Sequence, residues 1–210
     1  MCNRYKPGER KRITDIFSAK VLRQYNDGPT IVHPREPGPV VRLENGELIL
    51  EQMTWGFPVA LTGKQGQLLK PKPTNNARFD KLNRFWKRWA EVPSHRCLIP
   101  TESYAEAVGE KGQMTCTWLS LRSQPIFAWA GLCAVSEEWG PVYTGVMTDN
   151  APELGHIHDR SPVILAPDEW QTWLNAPLAD LYQFDRPWPA DDVLVEGTDV
   201  LWKDGGRAER

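Results

Sequence analysis

HRCLIPTESYAEA, residues 95–107, begins a run of four stretches that decides the fold class. The other three are TCTWLSL at 115–121, PIFAWAGLC at 125–133 and PVYTGVMT at 141–148. Each has the length of a strand or a hairpin, and turn-like or charged residues separate it from the next. Because no helical stretches alternate with them, the pattern predicts antiparallel sheet and not a parallel βαβ arrangement.

Helices and loops are predicted on both sides of this run. The spacing of apolar residues predicts helices over 10–21, 80–90 and 168–174, and a shorter one over 178–182. ELILEQMTW, residues 47–55, fits a strand that ends in a turn. Segments 28–39 and 63–78 are rich in Pro, Gly or Lys and are predicted as extended loops. We therefore expect one domain over residues 1–210, of α+β class, with a mainly antiparallel, barrel-like β-sheet and a few peripheral helices.

DKLNRFWKRWA, residues 80–90, carries the clearest helical pattern. Its apolar residues Leu82, Phe85, Trp86 and Trp89 recur at i, i+3, i+4 and i+7, and basic residues line another side. This pattern favours a helix that packs on the core and exposes a charged face. Direct contact of these cations with nucleic acid is the alternative interpretation.

The composition is that of a globular protein without a membrane span. The 210 residues are 40% hydrophobic and 25% charged, and no apolar run approaches the roughly 20 residues that a spanning helix needs. The first residues lack the apolar core of a secretory signal, so we expect a soluble, cytoplasmic monomer. The four cysteines are too widely spaced for paired metal ligands, so we expect no metal, no cofactor and no disulfide.

Charge is distributed unevenly along the chain, although the net charge is only −2. Residues 1–100 contain 18 Lys and Arg against 9 Asp and Glu, whereas residues 101–210 contain 7 against 18. Such a difference indicates a surface that binds a polyanion, unless folding mixes the two halves on the surface.

Four short polar segments occur where packing alone does not require them. They are Met-Cys-Asn-Arg at 1–4, Asn-Ala-Arg at 76–78, Glu106 within SYAEA, and Ile-His-Asp-Arg at 157–160. Each has an ordinary explanation when taken singly, as a loose terminus, a turn asparagine, a solvated carboxylate or a surface histidine. Arg160 could equally form an ion pair with Asp159 or another acid.

Together these segments resemble the SOS response-associated peptidase (SRAP) family, also called the abasic-site-processing domain. That family begins with Met-Cys-Gly-Arg or a close variant. Later it carries Asn-Ala-Arg, then Arg-Cys-Leu-Ile-Pro followed by an aromatic residue and Glu, and finally Ile-His-Asp-Arg-x-Pro-Val-Ile-Leu. This sequence has MCNR at 1–4, WGFP at 55–58, NAR at 76–78, RCLIP at 96–100 with Tyr104 and Glu106, and IHDRSPVIL at 157–165. The blocks occur in the family's order over almost the whole chain, so the resemblance implies an SRAP-like fold.

The resemblance implies catalytic roles for four of the matched residues. Cys2 would bond covalently to the aldehyde of an abasic site in single-stranded DNA and so protect the lesion. Glu106 would move protons and could assist the autoproteolytic release of Met1. His158 would act as acid or base on the sugar, with β-elimination of the 3′ strand as a further activity. Asn76 would orient the substrate through its amide.

The resemblance also implies residues that bind DNA or support the site. Arg4, Arg78 and Arg160 would grip flanking phosphates, for which the planar guanidinium is well suited. Thr148 stands where the family has a threonine that supports the histidine.

Cys2 suits this reaction only as the N-terminal residue, after Met1 has been removed. A primary amine and a thiol on adjacent carbons can then capture one aldehyde twice, first as an imine and then as a thiazolidine ring. The amine has an ordinary pKa of about 7.7 to 8.0, against about 10.4 for a lysine, so part of it is neutral at physiological pH.

This sequence departs from the family pattern at several positions near the expected site. Asn3 replaces the usual Gly, Asp80 stands where Glu is frequent, and Ala107 replaces a common Trp. The YNDGPT block at 25–30 lacks the small apolar member of its family counterpart. The reacting groups are retained, so these changes concern the shape of the pocket and the DNA structure it prefers.

Two other functions fit the same residues. A cysteine peptidase would use Cys2 as nucleophile and His158 as base, and it would not need a free amine. A non-covalent module for single-stranded DNA would need only cations such as Lys64, Lys70 and Lys72 together with the basic segment 80–90.

Overall fold

The computed structural model describes residues 2–21, 25 and 28–204. Within them the α-helices are α1 (Arg10–Phe17), α2 (Lys87–Ala90) and α3 (Trp170–Asn175), and 3-10 turns cover Phe79–Lys81, Pro93–His95, Pro152–Leu154, Pro167–Glu169, Leu178–Phe184 and Ala190–Asp192. The strands are β1 (Tyr5–Lys6), β2 (Lys20–Val21), β3 (Pro37–Glu44), β4 (Glu47–Trp55), β5 (Phe57–Thr62), β6 (Leu68–Thr74), β7 (Asn76–Arg78), β8 (Arg96–Thr101), β9 (Ser103–Val108), β10 (Thr115–Leu121), β11 (Phe127–Ser136), β12 (Gly140–Asp149), β13 (Arg160–Pro162), β14 (Ile164–Leu165) and β15 (Val193–Leu201).

The larger sheet closes on itself. Its neighbours run β12, β11, β8, β3 and β4 with antiparallel pairing. β4 then pairs back with β12 in parallel, with Val142 opposite Thr54 and Tyr143 opposite Trp55. This circuit confirms the expected α+β class with a barrel-like, mainly antiparallel sheet; the assignment of residues 1–210 to one domain stays a prediction.

A second sheet carries the N-terminal segment of the chain. It has the antiparallel order β1, β9, β10, β15, and β5 with β6 forms a separate hairpin. β7 joins the larger sheet as a parallel neighbour of β12. The chain segments that carry Arg4, Asn76, Glu106 and Arg160 are therefore attached to these two sheets.

Alternation of side chains gives the barrel strands two buried faces. One face packs against helices α1 and α3, through Val41, Leu98, Leu132, Val142, Ile13, Phe17, Trp170 and Trp173. The other face packs against the second sheet, through Val40, Ile99, Trp129, Tyr143, Tyr104 and Leu119. Cys2 belongs to this second cluster, so the first described residue lies in the core between the two sheets.

Most of the expected strands are confirmed. The predicted strand at 47–55 coincides with β4, and the four stretches between 95 and 148 form β8 to β12. The helix predicted at 168–174 is present as a 3-10 turn followed by α3, and the one at 178–182 is a 3-10 helix.

The helix predicted over 80–90 is wrong for most of its length. Only Lys87–Ala90 is α-helical, after a 3-10 turn at Phe79–Lys81. The ring of Trp86 packs edge-on against Phe57, at 5.4 Å between centroids. The aromatic residues therefore pack on the core without a continuous helix. Because aromatic residues have only modest helix propensity, the local sequence does not impose one.

The predicted loop at 63–78 is also wrong, because it contains β6 and β7. Prolines suit β6, which belongs to a two-stranded hairpin where a missing backbone donor costs little. The helix predicted over 10–21 ends at Phe17, where Ser18 adopts a left-handed conformation with φ of 50°. The loop predicted over 28–39 ends early because β3 begins at Pro37. The strand β15 was not predicted.

None of the helices in the described part of the chain is long and apolar enough to cross a membrane.

Candidate functional site

The N-terminal segment brings Cys2 into the core beside β9. Tyr5 pairs with Tyr104, and the backbone N–H of Ala105 donates to the carbonyl oxygen of Arg4 at 3.0 Å. The thiol of Cys2 donates to the same carbonyl oxygen at 3.3 Å, and the residue is fully buried. Cys2 is therefore fixed within the protein.

Two asparagines hold Cys2 from the side of the barrel. The side-chain amide nitrogens of Asn75 and Asn76 both donate to the carbonyl oxygen of Cys2, at 2.9 and 2.7 Å. The amide of Asn75 also donates to the side chain of Asn3 at 2.9 Å. The carbonyl oxygen of the Asn76 side chain is buried and has no hydrogen-bond partner among the described residues. An acceptor is thus available next to Cys2.

The pairing of β7 with β12 aims these asparagines at Cys2. Asn76 lies opposite Gly145, and the backbone carbonyl of Asn75 accepts hydrogen bonds from Gly145 N–H at 3.1 Å and from the indole N–H of Trp55 at 2.9 Å. Trp55 is the first residue of the WGFP block, so this block contacts the segment that carries the two asparagines. Sequence reasoning named Asn76 and missed Asn75, although the doubled asparagine in TNNAR was the available signal.

Glu106 provides a buried carboxyl group near the thiol. It lies on β9 opposite Thr117 and is only 3% exposed. Burial disfavours the charged form and raises the pKa of Glu106 to about 7. The pKa of the Cys2 thiol is raised well above its usual value, first by burial and then by the charge of Glu106. Cys2 and Glu106 therefore share one poorly solvated space.

His158 lies in the loop between the 3-10 turn at Pro152–Leu154 and β13. Its Nδ1 accepts the backbone N–H of Arg160 at 3.0 Å and is also 2.8 Å from a carboxylate oxygen of Asp159. Nδ1 cannot accept the first contact and donate the second at once, so the two belong to the neutral and the protonated ring respectively. Burial lowers the pKa of His158, which favours the neutral ring with its proton on Nε2. The charge of Asp159 also acts on Glu106, which places this loop on the Glu106 side of the site.

Two of the three arginines expected to bind phosphate form ion pairs with exposed carboxylates. Arg78 follows Asn76 on β7, is exposed, and forms a two-pronged ion pair with Asp80 at 2.9 Å. Arg160 lies opposite Asp149 in the β12–β13 pair, with its guanidinium 3.4 Å from that carboxylate. A phosphate that binds either arginine would compete with a surface carboxylate.

The side chains of Arg4 and Thr148 do not make the contacts expected of them. Arg4 is 8% exposed, and its guanidinium packs with Cys116 and Trp202. The expectation that Arg4 grips a phosphate finds no support in this geometry. The hydroxyl of Thr148 donates to Asp185 at 2.7 Å, because Thr148 is three residues from Gly145 on β12 and so points to the opposite face. Support of His158 by Thr148 is likewise not seen.

No cluster of three or more His, Cys, Asp or Glu side chains within the described residues is arranged to hold a metal ion. The other cysteines, Cys97, Cys116 and Cys133, are buried thiols.

Comparison with known proteins gives consistent matches. A family model described as SOS response associated peptidase (SRAP) matches residues 1–196. The abasic site processing protein YoqW of Bacillus subtilis is 32% identical over 130 residues, which cover 56% of this chain and 56% of that protein. YobE of the same organism, also called an abasic site processing protein, is 30% identical over 158 residues, which cover 69% of this chain and 68% of that protein. The chain thus matches a little over half the length of YoqW.

Solved structures show the same fold. A crystal structure of a Bordetella bronchiseptica protein has a TM-score of 0.77 at 23% identity and covers 94% of this chain and 99% of its own. A Bacteroides thetaiotaomicron protein has a TM-score of 0.74 at 16% identity and covers 93% of this chain and 91% of its own.

Proposed function

Because the chain belongs to the SOS response-associated peptidase family, as its motifs predicted, we propose that it processes abasic sites by bonding covalently to them. The substrate is single-stranded DNA with an abasic site, and the reacting group is Cys2 after release of Met1. Met1 lies outside the described residues. Two relatives that carry the name abasic site processing protein support the choice of substrate.

The observation that carries this proposal is the hold on Cys2 by Asn75 and Asn76. Two side-chain amides donate to the carbonyl oxygen of Cys2, at 2.9 and 2.7 Å, and Cys2 is buried. A solvated N-terminus would not require these contacts. Ordering a residue costs conformational entropy, so such an arrangement is expected where a defined geometry is useful. A fixed N-terminal cysteine presents its amine and its thiol in one direction.

The reaction proceeds in two bond-forming steps. The neutral amine of Cys2 adds to the aldehyde carbon and gives a carbinolamine, which loses its hydroxyl group with a proton as water to form an imine. The thiol sulfur then adds to the imine carbon while its proton passes to the imine nitrogen, which closes the thiazolidine ring. A thiol of raised pKa stays protonated at the start, so the amine reacts first.

Glu106 and His158 act on different protons. A carboxyl group with a pKa of about 7 can donate the proton that leaves with the hydroxyl group and accept one from the amine. In autoprocessing, the same group would assist the release of Met1. His158, neutral with its proton on Nε2, would serve ring opening of the sugar. β-Elimination of the 3′ phosphate would use the other neutral tautomer, in which Nδ1 carries the ring proton and donates it to Asp159, and Nε2 is free to remove the C2′ proton.

Phosphates flanking the abasic site would bind on the surface next to Asn76. Arg78 and Arg160 offer guanidinium groups there, and the β5–β6 hairpin carries the exposed Lys70 and Lys72. We further propose that the protein acts as a cytoplasmic monomer in DNA-damage responses and needs no metal or cofactor.

A thiol peptidase is the competing function, and the site favours it less. A peptidase needs a thiolate activated by a base, whereas the thiol of Cys2 donates to the carbonyl oxygen of Arg4 and its pKa is raised by burial and by Glu106.

The test mixes protein of confirmed N-terminus with single-stranded DNA that contains one abasic site, followed by a denaturing gel. We expect a stable adduct with the parent and with Cys133→Ser, which changes another buried cysteine. Cys2→Ser keeps the amine and should give mainly an adduct that needs borohydride trapping. Protein with a blocked amine and an intact thiol should give none.

Two results would point elsewhere. Cleavage of proteins by the amine-blocked form would support the peptidase. Equal retention of DNA by Cys2→Ala and parent, without any covalent product, would support a non-covalent binding module.

A further inference from the structure

Arg4 is held inside the protein by the C-terminal end of the second sheet. Its Nη2 donates to the backbone carbonyl of Trp202, its Nη1 donates to the sulfur of Cys116 at 2.8 Å, and its guanidinium carbon lies 4.0 Å from the centre of a Trp202 ring. Trp202 thus supplies both an aromatic face and an acceptor to one side chain. The ring restricts movement of the guanidinium perpendicular to its plane, and the hydrogen bond to the carbonyl restricts movement within that plane.

Trp202 is itself anchored. Its backbone N–H donates to the carbonyl of Met114 at 2.8 Å, directly after the last register pair of β15 with β10, in which Leu201 lies opposite Thr115. The side chain packs against a small cluster formed by Ile31, Ala105 and Trp118. The aromatic face that holds Arg4 is therefore a fixed part of the second sheet.

The hold on Arg4 extends to Cys2 through the backbone. Only Asn3 separates the two residues, and the carbonyl oxygen of Arg4 accepts both the thiol of Cys2 at 3.3 Å and the N–H of Ala105 at 3.0 Å. On the other side, the amides of Asn75 and Asn76 hold the carbonyl of Cys2. Residues 2–4 are thus fixed between the barrel and the C-terminal end of β15.

We propose that Trp202 is a positioning residue for Cys2 and acts through Arg4. This inference rests on the proposed function, because it concerns the geometry of the Cys2 amine and thiol during attack on the aldehyde. Trp202 lies beyond residues 1–196, where the family match ends. Arg4 accordingly serves as the anchor of the N-terminal segment, and phosphate binding is left to other cations.

The inference predicts a specific kinetic pattern. With Trp202→Leu, apolar bulk is kept but the aromatic face is removed, so the rate of adduct formation at saturating abasic DNA should fall about 10-fold, since small misplacements of a reacting group are costly. The affinity for undamaged single-stranded DNA of the same sequence should not change. Trp202→Phe keeps a flat ring and should retain most of the rate.

The matched control is Trp139→Ala. It removes a stack of the same kind, in which the Arg35 guanidinium carbon lies 4.4 Å from the Trp139 ring centre, just before β12. Trp139 packs against the helix-side cluster, whereas Cys2 belongs to the other cluster. Its adduct rate should equal that of the parent. Intact mass confirms loss of Met1 in every sample, and thermal unfolding confirms that each variant is folded.

Four outcomes are distinguishable. Slow Trp202→Leu with unchanged DNA affinity, rescued in Trp202→Phe, supports the inference. Equal rates for Trp202→Leu and parent overturn it and leave the proposed function intact, and so does tighter binding of undamaged DNA at an unchanged rate, which would mean that Trp202 masks Arg4. Absence of any adduct with the parent overturns the proposed function and this inference with it.

Discussion

Glu106 is a residue whose surroundings change its protonation near neutral pH. Burial raises its pKa to about 7, so it can give or take a proton near neutral pH. A solvated carboxyl group would be ionised there and a poor acid. The value depends on tertiary burial, which SYAEA alone does not reveal.

The pH dependence of adduct formation should therefore be bell-shaped. As pH rises, the amine of Cys2 loses its proton with an ordinary pKa of about 7.7 to 8.0 and the rate increases. Through about pH 7 and above, Glu106 loses the proton that it donates as an acid, and the rate decreases. Single-turnover rates between pH 5.5 and 9 would measure this profile.

Glu106→Gln is the matched variant, since it keeps size and hydrogen-bonding capacity without titrating. Its rate should be lower and should rise to a plateau with pH, with no decrease on the alkaline side. A decrease that persists in Glu106→Gln would assign that limb to another group.

Asn75 should matter about as much as Asn76. Asn75→Ala removes donors to both Cys2 and Asn3, and we expect adduct formation to slow about 10-fold, since loss of a positioning interaction acts on the rate. Asn83→Ala, at an exposed position, is the control. An unchanged rate for Asn75→Ala, measured by quenched gel assays, would remove Asn75 from the site.

For single residues, the sequence indicated which side chains could react better than it indicated where each side chain lies in the fold. Cys2, Asn76 and Glu106 were named from motifs, and they lie around one buried space. The family resemblance implied that Arg4 binds phosphate. In the structure its guanidinium contacts Cys116 and Trp202, which are more than 100 residues away in the chain, and no local pattern indicates them.

Among the elements, β8 to β12 were predictable because their composition and their turns agree with their structure. The segment at 80–90 was not, because burial of Leu82 and Trp86 fits a helix and a series of turns equally well. β7 has only three residues and pairs with β12 just beyond the residues of β12 that pair with β4. An element of that kind depends on its partner and not on its own sequence.

The motif residue Arg96 has a role between elements. Its guanidinium donates to the carbonyls of Ala90, Trp173 and Ala176, at 2.9, 2.9 and 2.6 Å. These carbonyls lie at the C-terminal ends of α2 and α3, where the helix dipole favours a cation. Burial lowers the pKa of Arg96 to about 10, so it remains charged at neutral pH. This arginine joins two helices and takes no part in the site.

Gly145→Ala should separate β7 from β12. A Cβ at this position would lie 1.9 Å from the Trp129 ring, so the ring or the strand must move. Overpacking typically costs about 1–3 kcal/mol, and it would also displace Asn76, which pairs with Gly145. We expect lower stability in chemical denaturation and an adduct rate reduced more than in an equally destabilised variant.

The control for Gly145→Ala is a cavity variant on the opposite face of the barrel strands, such as Leu132→Ala. If both variants lose activity only in proportion to unfolding, Gly145 has no special part in placing Asn76.

In the whole molecule, closure of the barrel depends on one short parallel pairing between β4 and β12. Hairpin patterns predict neighbours that are close in sequence, whereas this pairing joins residues almost 90 positions apart. Folding also brings the basic and acidic halves of the chain together, as in the ion pair of Arg12 with Glu102. The charge of a sequence half is therefore a poor guide to one surface.

The β5–β6 hairpin has an excess of positive charge, since residues 57–74 contain three lysines and no acidic residue. If Lys70 and Lys72 bind phosphates, the double variant Lys70→Gln/Lys72→Gln should bind undamaged single-stranded DNA more weakly. Its plot of log affinity against log salt should flatten by about 0.7 for each phosphate that is no longer neutralised. Fluorescence anisotropy from low to moderate salt measures this slope. Lys111→Gln, in the β9–β10 connection, should leave it unchanged, and equal slopes for all three proteins would place the DNA elsewhere.

Mass analysis of the adduct shows whether the amine and the thiol of Cys2 both bond to the sugar aldehyde. The crosslinked protein is treated with nuclease, alkylated at its thiols, digested with trypsin and sequenced by mass spectrometry. We expect peptide 2–4, without Met1, to carry the sugar fragment with loss of one water and to resist alkylation at Cys2. An adduct on another residue, an adduct on a chain that retains Met1, or a Cys2 thiol that remains open to alkylation would contradict it.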